Sequence, residues 1–379
     1  MKIVFFIGGL SGGGAERVCC GLANFLFQRG HEVEFLTIAD DQVTYPLAEG
    51  IGRTVLLAQH ERKNFLYNSF VRFCRACRFV RHTQCDCYVV MLPVTTVLLL
   101  SIRRLTKAKI LAAERTNPAV YSKLEQKILR KLAHSADGWV FQTEEQREWY
   151  GKSIGQATTA LIPNAVNEKG DVTPAHIIRT KTIVSAGRLS RAKNHALLIK
   201  AFATISDRYP DYRLVIYGDG PLRQQLEALV EDLGMADKVS LPGYTTFVRE
   251  KMEQASLFVL TSDWEGMPNA LIEAMALGVP CISTDCKGGG ARFLINDGIN
   301  GLLTPVGDME ALAASMEKVL CNAVLSQQLS IEAKKICERL APERVYAAWF
   351  CCLLSMVYYS ISSLHYICYH LSQKSNGKC

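Results

Sequence analysis

The chain has 379 residues, 49% of them hydrophobic and 21% charged, an ordinary globular composition on a chain too long for a single hydrophobic core. Its formal net charge of +7 favours an anionic partner such as a phosphate or a lipid headgroup. The 14 cysteines are scattered through apolar runs, without structural-zinc or disulfide-framework spacing, which fits a reduced, cytoplasmic setting.

Residues 2–7, Lys-Ile-Val-Phe-Phe-Ile, predict a first strand, being too early and too short for a signal peptide. Helices are then expected over 15–29, 64–82, 94–105, 121–134 and 143–150. They alternate with strands over 32–38 and near 53–57, 86–91, 108–113, 137–141 and 158–162. After Pro163-Asn164-Ala165-Val166-Asn167 a polar stretch runs to about Lys181, and the alternation resumes. The second set of strands lies near 182–186, 212–217, 238–242, 256–260, 280–283 and 301–304. Such alternation implies parallel sheets covered by helices on both faces. The expected organisation is an α/β domain over 1–167, a linker over 168–181, a second α/β domain over 182–340, and a C-terminal helix and tail over 341–379. Residues 345–373 of that tail carry no Asp, Glu, Lys or Arg; a packed helix and a membrane anchor both remain open there.

The first strand is followed by Gly8-Gly9-Leu10-Ser11-Gly12-Gly13-Gly14-Ala15-Glu16-Arg17. Glycines let a backbone approach a phosphate, and a following helix points its N–H groups at it. Gly12, Gly14 and Asp40 partly match a dinucleotide fingerprint, but Arg17 stands where its third glycine belongs, so that fingerprint fails. Residues 60–110 carry ten Lys or Arg against two acids. Within 64–82, Leu66, Phe70, Phe73, Cys77 and Val80 form one apolar helical stripe, with Arg72, Arg75 and Arg78 away from it. A solvated core helix and a membrane-surface helix both fit this pattern.

Two stretches of the second half carry the chemistry. In Val184-Ser185-Ala186-Gly187-Arg188-Leu189-Ser190-Arg191-Ala192-Lys193-Asn194 a strand ends and a helix begins, so that Arg188 and Lys193 flank a helix N-terminus. Two cations beside free N–H groups suit a diphosphate. In the second stretch an apolar strand, 257–260, leads into Thr261-Ser262-Asp263-Trp264-Glu265-Gly266-Met267-Pro268-Asn269-Ala270-Leu271-Ile272-Glu273-Ala274-Met275. Pro268 is expected near the first helical position, where its missing N–H costs little. Glu265 then lies on the loop and Glu273 in the helix, and carboxylates accept hydrogen bonds from vicinal sugar hydroxyls.

The Glu-seven-residues-Glu spacing and the Gly-Arg-Leu-(x)3-Lys pattern resemble those of retaining glycosyltransferases of family four, almost continuously from Gly187 to Gly307. The resemblance implies the GT-B fold, in which two Rossmann-like domains with parallel sheets face each other across a cleft. It implies transfer of a hexose or N-acetylhexosamine from a nucleotide sugar, UDP-linked, with Arg188, Lys193, Glu265 and Glu273 as catalytic residues. Gly13, Gly14, Gly187, Gly218, Tyr244, Gly266, Met267, Pro268 and Asn269 are then expected at the donor. Glu16, Arg17 and Arg115 are expected on the acceptor side. Many relatives carry a histidine near Glu114-Arg115-Thr116-Asn117-Pro118, which has none, and usually a glutamate where Phe293 stands. The Gly290-Ala291-Arg292 run resembles the branch that adds hexosamines to lipid-linked oligosaccharides. The implied acceptor is a glycan on a polyprenyl diphosphate or another surface-polysaccharide precursor. The implied setting is the inner face of the cytoplasmic membrane, with an anionic membrane surface as partner and no nucleic acid. No Asp-x-Asp pair is present, so no metal or other cofactor is expected. A nucleotide-sugar epimerase of the same shape and a silent sugar-nucleotide binding module are the alternatives; joint retention of the four charged residues speaks against the latter.

Overall fold

The structure is a computed structural model, and it describes residues 1–11, 13–39, 41–166 and 179–358. Seven strands form the first sheet: β1 (Lys2–Ile7), β2 (Glu32–Ala39), β3 (Gly52–Leu57), β4 (Cys87–Met91), β5 (Lys109–Ala113), β6 (Gly138–Phe141) and β7 (Thr158–Leu161). Their order is β3-β2-β1-β4-β5-β6-β7, with every pairing parallel. Six more form the second: β8 (Thr180–Ala186), β9 (Arg213–Tyr217), β10 (Val239–Gly243), β11 (Ala255–Leu260), β12 (Cys281–Thr284) and β13 (Leu302–Thr304). Their order is β10-β9-β8-β11-β12-β13, again all parallel.

Period-two alternation in continuous apolar strands explains why each sheet is covered twice. Ile3, Phe5 and Ile7 enter one core and Val4 and Phe6 the other. In β11, Leu257 and Val259 face one core and Phe258 and Leu260 its opposite.

Packing divides the chain into two compact units, Met1–Ala165 joined by the chain from Glu343 onward, and Val166–Pro342. Pro342 opens a helix, Pro342–Tyr358. Its Val345, Trp349, Cys352, Leu353 and Met356 are buried in the core that holds Ile3 and Phe5. Burial accounts for the missing charges of this segment as far as Tyr358; residues 359–379, the rest of the tail, lie outside the described residues. Most of the expected linker, 168–178, also lies outside them. Its end belongs to the second unit: the Arg179 guanidinium donates to the carbonyls of Glu253 (2.9 Å), Ala255 (3.1 Å) and Gly278 (2.5 Å), and β8 starts at Thr180. A linker reading of 179–181 failed because one arginine can tie an otherwise polar stretch to three carbonyls.

The basic helix runs Phe65–His82, and its apolar stripe is split. Ala76 and Val80 are buried against the first sheet. Its first turns are open: Phe65 is 81% exposed, Leu66 79%, Phe70 68% and Phe73 46%. Arg75 is taken by Glu61, through bonds of 2.7 and 2.6 Å, and also reaches the Leu56 carbonyl at 3.1 Å. Arg72 is half-buried, and burial followed by the nearby Arg62 charge lowers its pKa. Of the three arginines placed away from the stripe, Arg75 and Arg78 are exposed, but Arg75 is engaged by Glu61; Arg62 and Lys63 add exposed charge at the helix start.

Candidate active site

The second sheet reverses its strand order between β8 and β11, and open α/β sheets gather ligands at the carboxyl ends beside such a switch. Gly187 and Arg188 leave β8 there, and Thr261 to Glu265 leave β11. After β8 the chain makes a tight 3-10 turn, Arg191–Lys193, and Asn194 then takes φ 44° and ψ 45° before the helix His195–Ile205 begins. This left-handed conformation is uncommon without glycine, and asparagine tolerates it well. Lys193 thus stands at the end of the turn. Its aliphatic stem lies along Gly187, where a Cβ would sit 3.2 Å from Lys193 Cε. Gly218, at φ +133°, is needed because a Cβ there would run into the Gly187 carbonyl.

Lys193 Nζ forms an ion pair and hydrogen bond with Glu265 Oε1, the two side chains being 20% and 15% exposed. Ser262 Oγ donates to the same Oε1 at 2.8 Å. The Glu265 N–H donates to the Lys287 carbonyl at 2.9 Å, which braces this loop on the one after β12. Gly266, Met267 and Pro268 are buried, and Glu273 is half-buried on the helix Asn269–Ala276. Pro268 is the cap of that helix rather than its first residue: at φ −75° and ψ 101° it is extended, and its carbonyl accepts from Leu271 (3.1 Å) and Ile272 (3.2 Å). Gly290 lets the next loop pack here, since a Cβ on it would collide with the Gly266 carbonyl. Arg188 is exposed. Tyr244, just past β10, is 79% exposed. The structure thus brings Lys193, Glu265 and Gly187 into direct contact, one cation beside one carboxylate at a sheet switch point. That set can meet an anion and a hydroxyl together.

The first sheet switches between β1 and β4. Its glycine loop is largely occupied by the protein's own carboxylates. Asp41 accepts from the N–H groups of Leu10 (3.0 and 2.9 Å) and Ser11 (2.9 Å) and pairs with Arg53 at 2.6 Å. Glu16 folds back over Gly13, filling the space a Cβ would take. Burial raises the Glu16 pKa, against a bond from its own N–H, and the Asp41 charge raises it further. Gly14 opens the helix Gly14–Gln28 that carries Glu16 and Arg17. Gly12 and Asp40, both parts of the failed dinucleotide fingerprint, lie outside the described residues. Leu92, where the chain leaves β4, has φ 75°, a strained value for a branched residue.

Arg115, expected on the acceptor side, is turned inward. It is 9% exposed, its Nη2 donates to Asn164 Oδ1, and its guanidinium lies 5.9 Å from the Trp349 ring centroid. Burial pulls its pKa down to about 10, against the charges of Cys19 and Glu114. Glu114 beside it is buried, accepting from the hydroxyls of Tyr121 and Tyr150, each at 2.7 Å. The strand end was legible, but the inward turn of its arginine depends on Asn164 and Trp349, distant in the chain.

Two nucleotide-binding-type sheets of this kind, with a charged site at a switch point, define the GT-B class of α/β enzyme. The family model for glycosyltransferase family 4 matches residues 12–169, and that for glycosyl transferases group 1 matches residues 175–336. The chain belongs to the family-four-type glycosyltransferases. It is 28% identical over 355 residues to a Campylobacter jejuni alpha-1,4-N-acetyl-D-galactosaminyltransferase named for a GalNAc-extended diNAcBac-PP-undecaprenol, covering 92% of this chain and 97% of that one. It is 35% identical over 220 residues to an exopolysaccharide phosphotransferase of Streptomyces coelicolor, but those are 57% of this chain and 23% of that one. The crystal structure of Anabaena HepE in complex with UDP and glucose superposes with a TM-score of 0.78 at 19% identity, over 94% of this chain and all of the other.

Sequence reasoning passed over Asn194, Thr261, Ser262, Asp263 and Asp41. The run of three polar residues straight after an apolar strand was the available signal for 261–263. It also passed over His195, which is buried, with a pKa lowered to about 4 by burial and then by the Lys193 charge. Because the native histidine resists protonation, the unfolded chain takes up a proton first as pH falls below about 6.5. This part of the stability is therefore present above about pH 6.5 and is lost progressively towards pH 4. In urea titrations, His195→Asn should flatten the fall in midpoint between pH 6.5 and pH 4 relative to the parent. Parallel pH curves for the two proteins would exclude the titration of His195.

Proposed function

We propose that this protein is a retaining glycosyltransferase that moves a hexose or N-acetylhexosamine from a UDP-linked donor to a glycan carried on a polyprenyl diphosphate. The contact between Lys193 and Glu265 at the β8–β11 switch point carries the reading. Lys193 and exposed Arg188 neutralise the donor diphosphate and the charge that develops as the sugar departs. Glu265, placed beside Lys193, accepts hydroxyls of the transferred sugar on its remaining lone pairs, with the backbone of 266–269 beside it. Glu273 holds the ribose. The base lies towards Tyr244 and Gly218. The reaction runs on the front face: the leaving phosphate oxygen takes the acceptor proton, and the protein contributes placement and electrostatics. The undecaprenol-linked substrate named for the Campylobacter relative supports the lipid-linked acceptor, and UDP with glucose in the HepE structure supports the donor class.

The first unit would serve the acceptor, with Glu16 and Arg17 at its glycine loop. The exposed start of the Phe65–His82 helix supports a site on an anionic membrane surface, and hence a peripheral place at the cytoplasmic membrane. Four apolar side chains project there beside Arg62 and Lys63, and Arg78 is exposed farther along the helix. Apolar contact makes the first contribution and the cations add to it, reversing the emphasis that charge counting alone suggests.

A screen of UDP-sugars with undecaprenyl-diphosphate glycans should yield one donor transferred with retention, as read by NMR of the product anomeric proton. In that assay Lys193→Ala should raise the barrier by about 2–4 kcal/mol, about 30- to 1,000-fold in kcat, as for the loss of one preorganised transition-state donor. An unchanged kcat would remove Lys193 from the mechanism.

Arg188, Lys193 and helix N-termini stand where a divalent ion would otherwise screen the diphosphate. Turnover should persist in excess EDTA. Its abolition by EDTA, with rescue by magnesium or manganese, would reveal a metal requirement.

The protein should co-sediment with phosphatidylglycerol vesicles. Replacing Leu66 and Phe70 with serine should weaken that binding by at least about tenfold, since each buried apolar side chain contributes about 1.5–3 kcal/mol. Glutamine at Arg62, Lys63 and Arg78 should weaken it by about 1 kcal/mol per charge and lower its salt dependence. UDP binding should be unaffected in both variants. Unchanged sedimentation of the Leu66/Phe70 variant would make this face solvated and no more.

A further inference from the structure

We propose that Thr261, Ser262 and Asp263 are positioning residues that hold Lys193 and Glu265 as one preorganised pair, an inference that rests on the donor-site reading above. Each of the three successive residues leaving β11 takes a different part of the lysine loop or of its partner. Thr261 is 1% exposed, and its hydroxyl is shared between the carbonyls of Lys193 (3.0 Å) and Asn194 (3.1 Å). Ser262 is fully buried: its hydroxyl donates to Glu265 Oε1 at 2.8 Å, and its carbonyl accepts from Thr284 Oγ1 at 2.6 Å. Asp263 uses both backbone and side chain. Its N–H donates to the Ala192 carbonyl at 2.8 Å, and its Oδ1 accepts from Asn194 Nδ2 at 2.9 Å.

These bonds address a specific difficulty. A lysine side chain loses about 2 kcal/mol of rotamer entropy when it is held still. Lys193 moreover ends a three-residue turn, which has few hydrogen bonds of its own. The left-handed Asn194 directs the chain from that turn into the next helix, and Asp263 holds the Asn194 side chain in this conformation. Thr261 fixes the backbone beneath Lys193, while Ser262 fixes the carboxylate that Lys193 meets. Burial removes water as a competitor for the Thr261 and Ser262 hydroxyls. The cation and the carboxylate are therefore placed before donor arrives, the condition under which positioning lowers a barrier.

The test uses the full chain, with UDP affinity by calorimetry and hydrolysis of the UDP-sugar selected by the donor screen. Parent protein that neither binds UDP nor turns over any UDP-sugar would sink the donor-site reading itself and this inference with it. Given a working parent, Thr261→Val keeps the shape and removes the hydroxyl. Its kcat should fall about tenfold or more while the donor KM stays within about threefold, the pattern of an interaction expressed in the transition state. Thr261→Ser should restore kcat to within about threefold of the parent. A purely structural hydroxyl would instead lower the melting temperature and leave kcat of the folded protein within about twofold, and that result overturns the proposal. Should Thr261→Val fail to fold, Asn194→Ala and Asn194→Gly address the same latch. Alanine, which disfavours the left-handed backbone and lacks the Asp263 bond, should lose about tenfold or more in kcat, and glycine, which keeps the backbone, clearly less. Equal kcat in parent, alanine and glycine variants would overturn the proposal equally.

Discussion

The ion pair between Lys193 and Glu265 is the constraint around which the second unit is arranged. The two residues are 72 positions apart and meet because β8 and β11 are neighbours in a sheet whose order reverses between them. With side chains 20% and 15% exposed, they sit in neither bulk water nor a dry core. Their attraction is largely offset by the desolvation each suffers, so the pair contributes little net stability. What it supplies is placement: one positive and one negative group, already desolvated in part, at the mouth of a parallel sheet.

The first unit shows how the same architecture reaches a different outcome. Its glycine loop also follows a first strand and opens a helix, and on sequence it reads as a second anion site. Yet Asp41 takes the N–H groups of Leu10 and Ser11, and Glu16 lies over Gly13. The chain's own carboxylates occupy the N–H groups and the space that an anion would otherwise take in this loop. Arg115 follows the same inward logic, its charge held by Asn164 and the Trp349 ring.

Periodicity located the Phe65–His82 helix and its apolar stripe, but could not say what the stripe meets. A helical stripe reads the same whether it lies on a sheet or projects into solvent. Burial divides it, with Val80 in the core and Cys77 packed against that core, and Leu66, Phe70 and Phe73 open. Charge counting failed at Arg75 for a related reason, because Glu61, 14 residues earlier, folds back to take its guanidinium.

Taken alone, the sequence determined the parallel sheets, the strand-to-helix junctions at 187–194 and 261–275, and the acids and bases those junctions carry. These follow from local rules: continuous apolar runs make buried strands, and glycine and proline mark where the chain turns. Only the tertiary structure decided which of those charges touch. Lys193 reaches Glu265 because two strands far apart in the chain lie side by side. Thr261, Ser262 and Asp263 act on that pair because they leave the strand at its switch point. Hydrogen bonds between such distant loops depend on strand order and on the burial that excludes water, and neither is encoded in any short stretch of residues.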